Sequence, residues 1–343
     1  MYLKFFGLTS KPFELTPNPE FLFLTPSHRE ALAQLINGIQ EQKGFILMTG
    51  EVGTGKTAVL RALVQRIDGH ANSAFIINST LPFDEMLEYA LADLGVSDPR
   101  GTRAQRLIAL NRFLIEQRCA GRNTILIVDE AQNLSIETLE QIRLLSNFET
   151  NSAKLLQIVL SGQPELYEKL QRPELRQLKQ RIGLRCRLAP MTAEEVGQYI
   201  NSRQRVAAAT RQLFTDAAIQ RIAAYSRGVP RIVNIVADHC LLSAYANQTP
   251  VVDADVVKRA IAYLEDNERD SRARWKLAAS WTGMALPRRV IVAAVSAGVV
   301  AVAAAVAGAT SPSGYPWAPY AASATLVAAI GGFVRWVTQW WGS

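Results

Sequence analysis

The sequence predicts an α/β fold: a parallel five-stranded sheet wrapped by helices, then a small all-α domain, then a C-terminal helical hairpin able to cross a membrane. Three observations carry this. From Lys43 to about Pro190, short β-branched runs alternate with longer helical stretches, as in a parallel sheet with crossover helices. After Pro190 the strand pattern stops and helix signals follow one another. Beyond Lys276 two long stretches carry no charge.

The strand candidates are Phe45 to Met48, Ala74 to Ile77, Thr124 to Val128, Leu155 to Leu160 and Leu184 to Leu188. All but the last are near-continuous apolar runs, as strands buried on both faces require. Directly after the first comes Gly50-Glu51-Val52-Gly53-Thr54-Gly55-Lys56-Thr57, a complete Walker A loop opening a helix from Ala58 to Ile67. In that order of strand, loop and helix, backbone N–H groups wrap phosphates, and glycine permits close approach. Lys56 is placed for the β- and γ-phosphates of ATP and Thr57 for a magnesium ion.

The third strand ends in Asp129-Glu130, delivering two carboxylates to the edge where parallel sheets hold ligands. Asp129 is the candidate for the magnesium shell and Glu130 for orienting or deprotonating the attacking water. The fourth strand brings Ser161 and Gln163 to the same edge, and Gln163 is the favoured reader of the γ-phosphate or the water. Ahead of the fifth strand, Arg176 and Arg181 lie on a helix ending near Gly183. Arg181 is the candidate arginine finger toward a neighbouring subunit, and Arg176 reads as a solvated side chain.

In the helical domain, Thr192 and Glu195 form a capping box for a helix to about Val206, and Thr215 caps a second helix through Tyr225. A third runs from about Ile232 to Tyr245, and Asp253 opens a fourth. Gly228-Val229-Pro230-Arg231 puts a cation in a helix's first turn, where the macrodipole disfavours it. A bound triphosphate or a salt bridge would compensate Arg231.

Val290 to Gly308 and Trp317 to Val334 are each long enough to span a bilayer, and the short turn between them makes the spans antiparallel. Arg274, Lys276, Arg288, Arg289 and Arg335 flank them, while the turn is uncharged, so the positive-inside rule expects the N-terminal part in the cytoplasm. The resulting map is 1–190 nucleotide-binding core with N-terminal extension, 191–266 helical lid, 267–289 charged linker and 290–337 hairpin.

Composition fits this division. The chain has 343 residues, 49% hydrophobic and 20% charged, which excludes disorder as its main character. The mean hydropathy of +0.05 averages a globular ATPase with an apolar hairpin. Of the net charge of +7, part sits beside the spans and suits a membrane face rather than nucleic acid. Cys119, Cys186 and Cys240 are too scattered for a disulfide framework or a structural zinc, and the first ten residues lack the layout of a signal peptide.

Walker A, Walker B, a polar residue after the fourth strand and the arginines, in this order, resemble an AAA+ ATPase. More narrowly, the sequence resembles the ExeA/GspA family of bacterial secretion ATPases and its relative, the MSHA pilus biogenesis ATPase MshM. The match rests on Phe6-Gly7-Leu8, Pro12-Phe13, Leu15-Thr16-Pro17, Gly50 to Thr57, Asp129-Glu130-Ala131-Gln132, Gly162-Gln163-Pro164-Glu165-Leu166, Leu175 to Arg181 and Ser226 to Arg231. The resemblance, over about Met1 to Asp266, implies a P-loop AAA+ core with a lid. It implies ATP bound by Gly50 to Thr57, magnesium by Thr57 and Asp129, hydrolysis by Glu130, and sensing by Gln163, Arg181 and Arg231. It also implies a homo-oligomer, ring or partial ring. A GspA-like protein is expected to continue into a periplasmic peptidoglycan-binding domain, for which this sequence leaves no room, and the MshM-like relative is expected to lack the hairpin.

The expected function is a membrane-anchored ATPase of the bacterial inner membrane, with a membrane protein of a secretion or type IV pilus system as partner. One alternative is a DNA-associated AAA+ regulator of transposition or initiator type, against which stand the missing C-terminal helix-turn-helix and basic stripe. The other is an ATPase-gated membrane effector, whose spans would hold no charged residue for an ion pathway.

Overall fold

The computed structural model describes residues 2–266 except Pro17, His70, Asn78, 97–100 and 151–152. The linker and hairpin expected at 267–289 and 290–337 lie outside the described residues, among which no helix is long and apolar enough to cross a membrane. The chain divides at Leu264/Glu265, and apart from the last two residues of one helix all the structure described below belongs to the unit Met1–Leu264.

Five parallel strands, β1 (Phe45–Gly50), β2 (Ala71–Ile76), β3 (Asn123–Val128), β4 (Leu156–Gly162) and β5 (Ile182–Leu188), form a sheet in the order β2-β3-β4-β1-β5. Of the central strands β4 is buried along its whole length and β1 and β3 everywhere but at Thr49 and Asn123, whereas β5, an edge strand, alternates and turns Arg185 and Arg187 outward. At the other edge β2 begins three residues before the expected start and ends at Ile76, because Ile77 is exposed beyond the last pairing with β3.

Among the described residues the α-helices of the sheet region or preceding it are α1 (Tyr2–Phe6), α2 (Pro26–Gln40), α3 (Lys56–Ile67), α4 (Phe83–Asp93), α5 (Arg103–Cys119), α6 (Ile136–Leu145), α7 (Pro164–Lys169) and α8 (Arg176–Arg181). The two-residue period of a strand sorts its side chains between two cores. Ile46 and Met48 of β1 join Leu35, Val59, Leu60 and Leu63 of α2 and α3 on one face. Phe45 and Leu47 join Leu87, Leu91, Ile142 and Leu178 on the other. Each such side chain contributes roughly 1.5–3 kcal/mol when fully buried, which fixes the strand register and so the height at which each strand end emerges.

After β5 follow α9 (Ala193–Val206), α10 (Asp216–Ser226), α11 (Pro230–Ala246) and a helix over 254–266. The Thr192 and Glu195 capping box is formed, Thr215 caps α10, and Asp253 accepts from the N–H groups of residues 255 and 256. The opening segment packs here rather than on the sheet: Tyr2, Phe6, Leu8, Phe13 and Phe21 are buried with Ile200, Phe214, Val233 and Leu241. Tyr2 donates to Asp238 at 2.7 Å, and Arg203 of α9 donates to the Pro12 carbonyl at 2.7 Å.

Candidate nucleotide site

The loop from Gly50 to Gly55 joins the end of β1 to the start of α3. Its shape depends on glycine at two places. Gly53 and Gly55 sit at φ +79° and +97°, where side chains are strained, and a Cβ on Gly55 would lie 2.8 Å from Nε2 of His28. Helix α3 starts from Gly55 with no side-chain cap, so its first N–H groups are left to a ligand, and an anion suits them. Lys56 is buried and folds over the loop, donating to the carbonyls of Gly50 at 2.9 Å and Glu51 at 3.1 Å. Burial holds its ammonium below the ordinary lysine value, with Glu130, Asp129 and Glu51 pulling the other way. Thr54 is fully buried and donates to the Glu51 carbonyl at 2.8 Å, and Val52 is exposed at the loop's tip.

Asp129 stands just past β3, 2% exposed, at the centre of a hydroxyl pair. Thr57 donates to its Oδ2 at 2.6 Å and Ser161 to its Oδ1 at 2.8 Å. A hydroxyl and a carboxylate at the foot of a phosphate cradle are the hard oxygen donors that magnesium takes, so the residues fit that ion. Glu130 follows in left-handed backbone, φ 51° and ψ 37°, which turns its side chain away from that of Asp129. Its Oε2 accepts from the amides of Gln132 at 2.6 Å and Gln163 at 3.3 Å. Partial burial pushes the Glu130 carboxyl upward, but the two amides and the Lys56 ammonium outweigh it and hold the group below the ordinary glutamate value.

The structure thus brings Lys56, Thr57, Asp129, Glu130 and Gln163 together at the C-terminal edge of the sheet. Arg231 joins them from α11: its N–H donates to the Gly53 carbonyl at 3.3 Å, and a Cβ on Gly53 would meet its Cβ at 2.6 Å. Arg181 lies apart from this group, donating to Oγ of Ser146 and, at 2.7 Å, to Oδ1 of Asn147 beyond the end of α6. Arg176 is exposed.

Three features were not read from the sequence. Ser161, which the sequence places at this edge with Gln163 as a possible phosphate reader, instead holds Asp129. His28, buried in the first turn of α2, accepts at Nδ1 from the Thr25 N–H, 3.3 Å away, and its Nε2 faces the Thr54 carbonyl at 2.8 Å, so it ties that helix to the loop. A donor at Nε2 and an acceptor at Nδ1 require the neutral ring. Burial accordingly pushes its pKa below the ordinary histidine value against the opposing pull of the Thr54 bond and of Glu195. Third, a mostly apolar pocket adjoins the loop, lined by Phe21, Leu24 and His28, by Gly55 and Ala58, and by Met191, Tyr199 and Pro230 from the helical part. Its mostly apolar lining beside the loop is of the kind that takes a flat heteroaromatic ring. The Thr25-x-x-His28 spacing announces a helix start, but nothing in it announces the distant loop partner.

A sequence profile described as an AAA domain matches residues 39–170. General secretion pathway protein A of Aeromonas hydrophila is 41% identical over 258 residues, 75% of this chain, and the chain spans only 47% of that relative's length. Among solved structures, the Aeropyrum pernix ORC2 protein is similar with a TM-score of 0.57 at 17% identity, over 74% of this chain and 71% of that one. Cdc6p of Pyrobaculum aerophilum is similar with a TM-score of 0.57 at 19% identity, over 73% of this chain and 69% of that one. At such identities these two likenesses concern the fold alone.

Proposed function

Since the chain belongs to the ExeA/GspA-type AAA ATPase family, we propose that it binds and hydrolyses ATP and uses the cycle to assemble or regulate a bacterial cell-envelope machine. The observation that supports this most is the 2.6 Å contact between Thr57 and Asp129 at the foot of an uncapped helix, beside a pocket for a base. In this reading the loop from Gly50 to Gly55, with Lys56 and the start of α3, binds the phosphates, and Thr57 and Asp129 hold magnesium. That ion, when bound, offsets charge that develops on the phosphate oxygens. Glu130 orients the attacking water and takes its proton as the water oxygen bonds to the γ-phosphorus and the bond to the β–γ bridging oxygen breaks. Gln163 senses the γ-phosphate edge, Arg231 reports it to the helical part, and Arg181 reaches the nucleotide of a neighbouring copy.

The working domain map remains core 1–190, lid 191–266, linker 267–289 and hairpin 290–337. In it the hairpin anchors an oligomer to the inner membrane with the ATPase on the cytoplasmic side, the partner being a membrane protein of a secretion or pilus system. ATP bridging two copies favours one arrangement of the oligomer and hydrolysis releases it.

The test is complementation between two defective proteins. Arg181→Ala and Glu130→Gln are each expected to release little phosphate from ATP. Mixed, they form interfaces that pair an intact Glu130 with an intact Arg181, and activity returns. A mixture no more active than the sum of its parts contradicts the role of Arg181 across subunits, and loss of ATP binding expected in Lys56→Ala must be seen for the site itself to stand.

A further inference from the structure

Gln132 lies in a single 3-10 turn, Ala131–Asn133, directly after Glu130, and both ends of its amide are used. Its Nε2 donates to Glu130 Oε2 at 2.6 Å, while its Oε1 accepts the backbone N–H of Gln163 at 3.1 Å. The turn is pinned from outside. Lys169 of α7 donates to the carbonyls of Gln132 and of Leu134, the latter at 2.8 Å, and Ser79 donates to the Glu130 carbonyl at 2.8 Å. A glycine makes room for the arrangement, since a Cβ on Gly162 would stand 2.8 Å from the Gln132 Oε1.

The geometry is specific for one half of the carboxylate. Gln132 and Gln163 both donate to Oε2, and among the described residues Oε1 takes no hydrogen bond. Two amide donors on one oxygen fix the carboxylate plane and leave the other oxygen to the site. Amides do not titrate, so these two donors keep their hydrogens at every pH, and no further charge is brought beside Lys56 and Asp129. The second bond, to the Gln163 N–H, makes the orientation of Glu130 depend on the position of the β4 end.

We propose that Gln132 is a positioning residue for ATP hydrolysis, which aims Oε1 of Glu130 at the attacking water and couples that aim to the end of β4. This rests on the proposed role of Glu130. A carboxylate left free to rotate loses its alignment, and a misplacement of about 1 Å is worth roughly 10²-fold in rate.

The experiment measures steady-state phosphate release against ATP concentration for the full chain with Gln132→Met, Gln132→Glu and Glu130→Gln. Gln132→Met keeps the shape and loses both bonds. Gln132→Glu keeps the acceptor for Gln163 and replaces the donor with a like charge. The expected result is a kcat lowered by about 10- to 100-fold in both, with KM for ATP within about twofold of wild type, since the phosphate-binding groups are untouched. A wild-type kcat in Gln132→Met beside an inactive Glu130→Gln overturns the inference and leaves the role of Glu130 standing, as does a loss confined to KM. Full activity in Glu130→Gln overturns the role of Glu130 and this inference with it. Should Gln132→Met fail to fold by circular dichroism, Gln132→Glu, which retains the bond to Gln163, decides alone.

Discussion

Replacing Gly228 with alanine should damage both stability and nucleotide binding, because this residue closes the joint between the sheet and the helical part. Gly228 follows Arg227, the C-cap of α10, and both have positive φ, +50° for Arg227 and +75° for Gly228. A Cβ at Gly228 would lie 1.9 Å from the Met191 carbonyl oxygen and 2.8 Å from the Met191 carbonyl carbon and nitrogen. All three are backbone atoms, so no side chain can swing aside. The left-handed conformation costs alanine roughly 1–2 kcal/mol, the displaced Met191 N–H to Gly228 carbonyl bond about 1 kcal/mol, and the overlap about 1–3 kcal/mol. That bond is 2.8 Å long. The sum, about 3–6 kcal/mol, corresponds to a thermal midpoint lower by roughly 10 °C for a unit of this size. The assay is thermal unfolding followed by far-UV circular dichroism, with ATP affinity measured in parallel, because Val229, Pro230 and Arg231 hang from the same joint. Arg227→Gly is the control of opposite sign: it relieves a left-handed non-glycine residue and should be neutral or stabilise by up to about 1 kcal/mol. A Gly228→Ala protein with the wild-type midpoint, or an Arg227→Gly protein less stable than it, would refute the reasoning.

Other outcomes follow from single contacts. Ser161→Ala removes a fully buried donor from Asp129 and should lower unfolding stability in urea by about 1–3 kcal/mol; an unchanged urea midpoint speaks against that bond. Gly53→Ala meets both a φ of +79° and the Cβ of Arg231, and its ATP affinity should fall about tenfold in equilibrium binding, the equivalent of about 1.4 kcal/mol. His28 has a pKa lowered by burial, so below pH about 6.5 the unfolded chain takes up a proton that the folded chain resists. Stability is therefore flat in this respect above that pH and falls below it, by up to about 1.4 kcal/mol per pH unit. His28→Gln, whose amide can still donate to Thr54, should lose that component, and identical acid profiles for the two proteins would count against it.

Much of the site could be read from the sequence because its parts are local or repeat a period. Gly50 to Thr57 is one contiguous loop, Asp129 and Glu130 end an apolar run, and Thr192 with Glu195 marks a helix start by spacing alone. What escaped depends on contacts between distant segments. Phe6 and Phe13 sit in an aperiodic, proline-rich opening, and their burial is decided by α9 to α11, almost two hundred residues later. The pocket exists only where Phe21, Ala58 and Tyr199 meet. Ser161 and Gln163 emerge from the same strand end two residues apart, and only the register of β4 beside β3 shows that Ser161 meets Asp129 and Gln163 meets Glu130. The sequence offers Arg181 as a finger toward a neighbouring subunit and does not show its bonds to Ser146 and Asn147, which come from the packing of α8 beside α6.

The central claim, an ATP-hydrolysing site in which Glu130 activates water, is tested most directly by phosphate release from ATP and magnesium by the purified chain and its Glu130→Gln variant, with ATP binding measured on both. Equal binding is expected, with a rate lowered by about 10²–10⁴-fold in the variant, the contribution of a general base. Equal rates in the two proteins would contradict it.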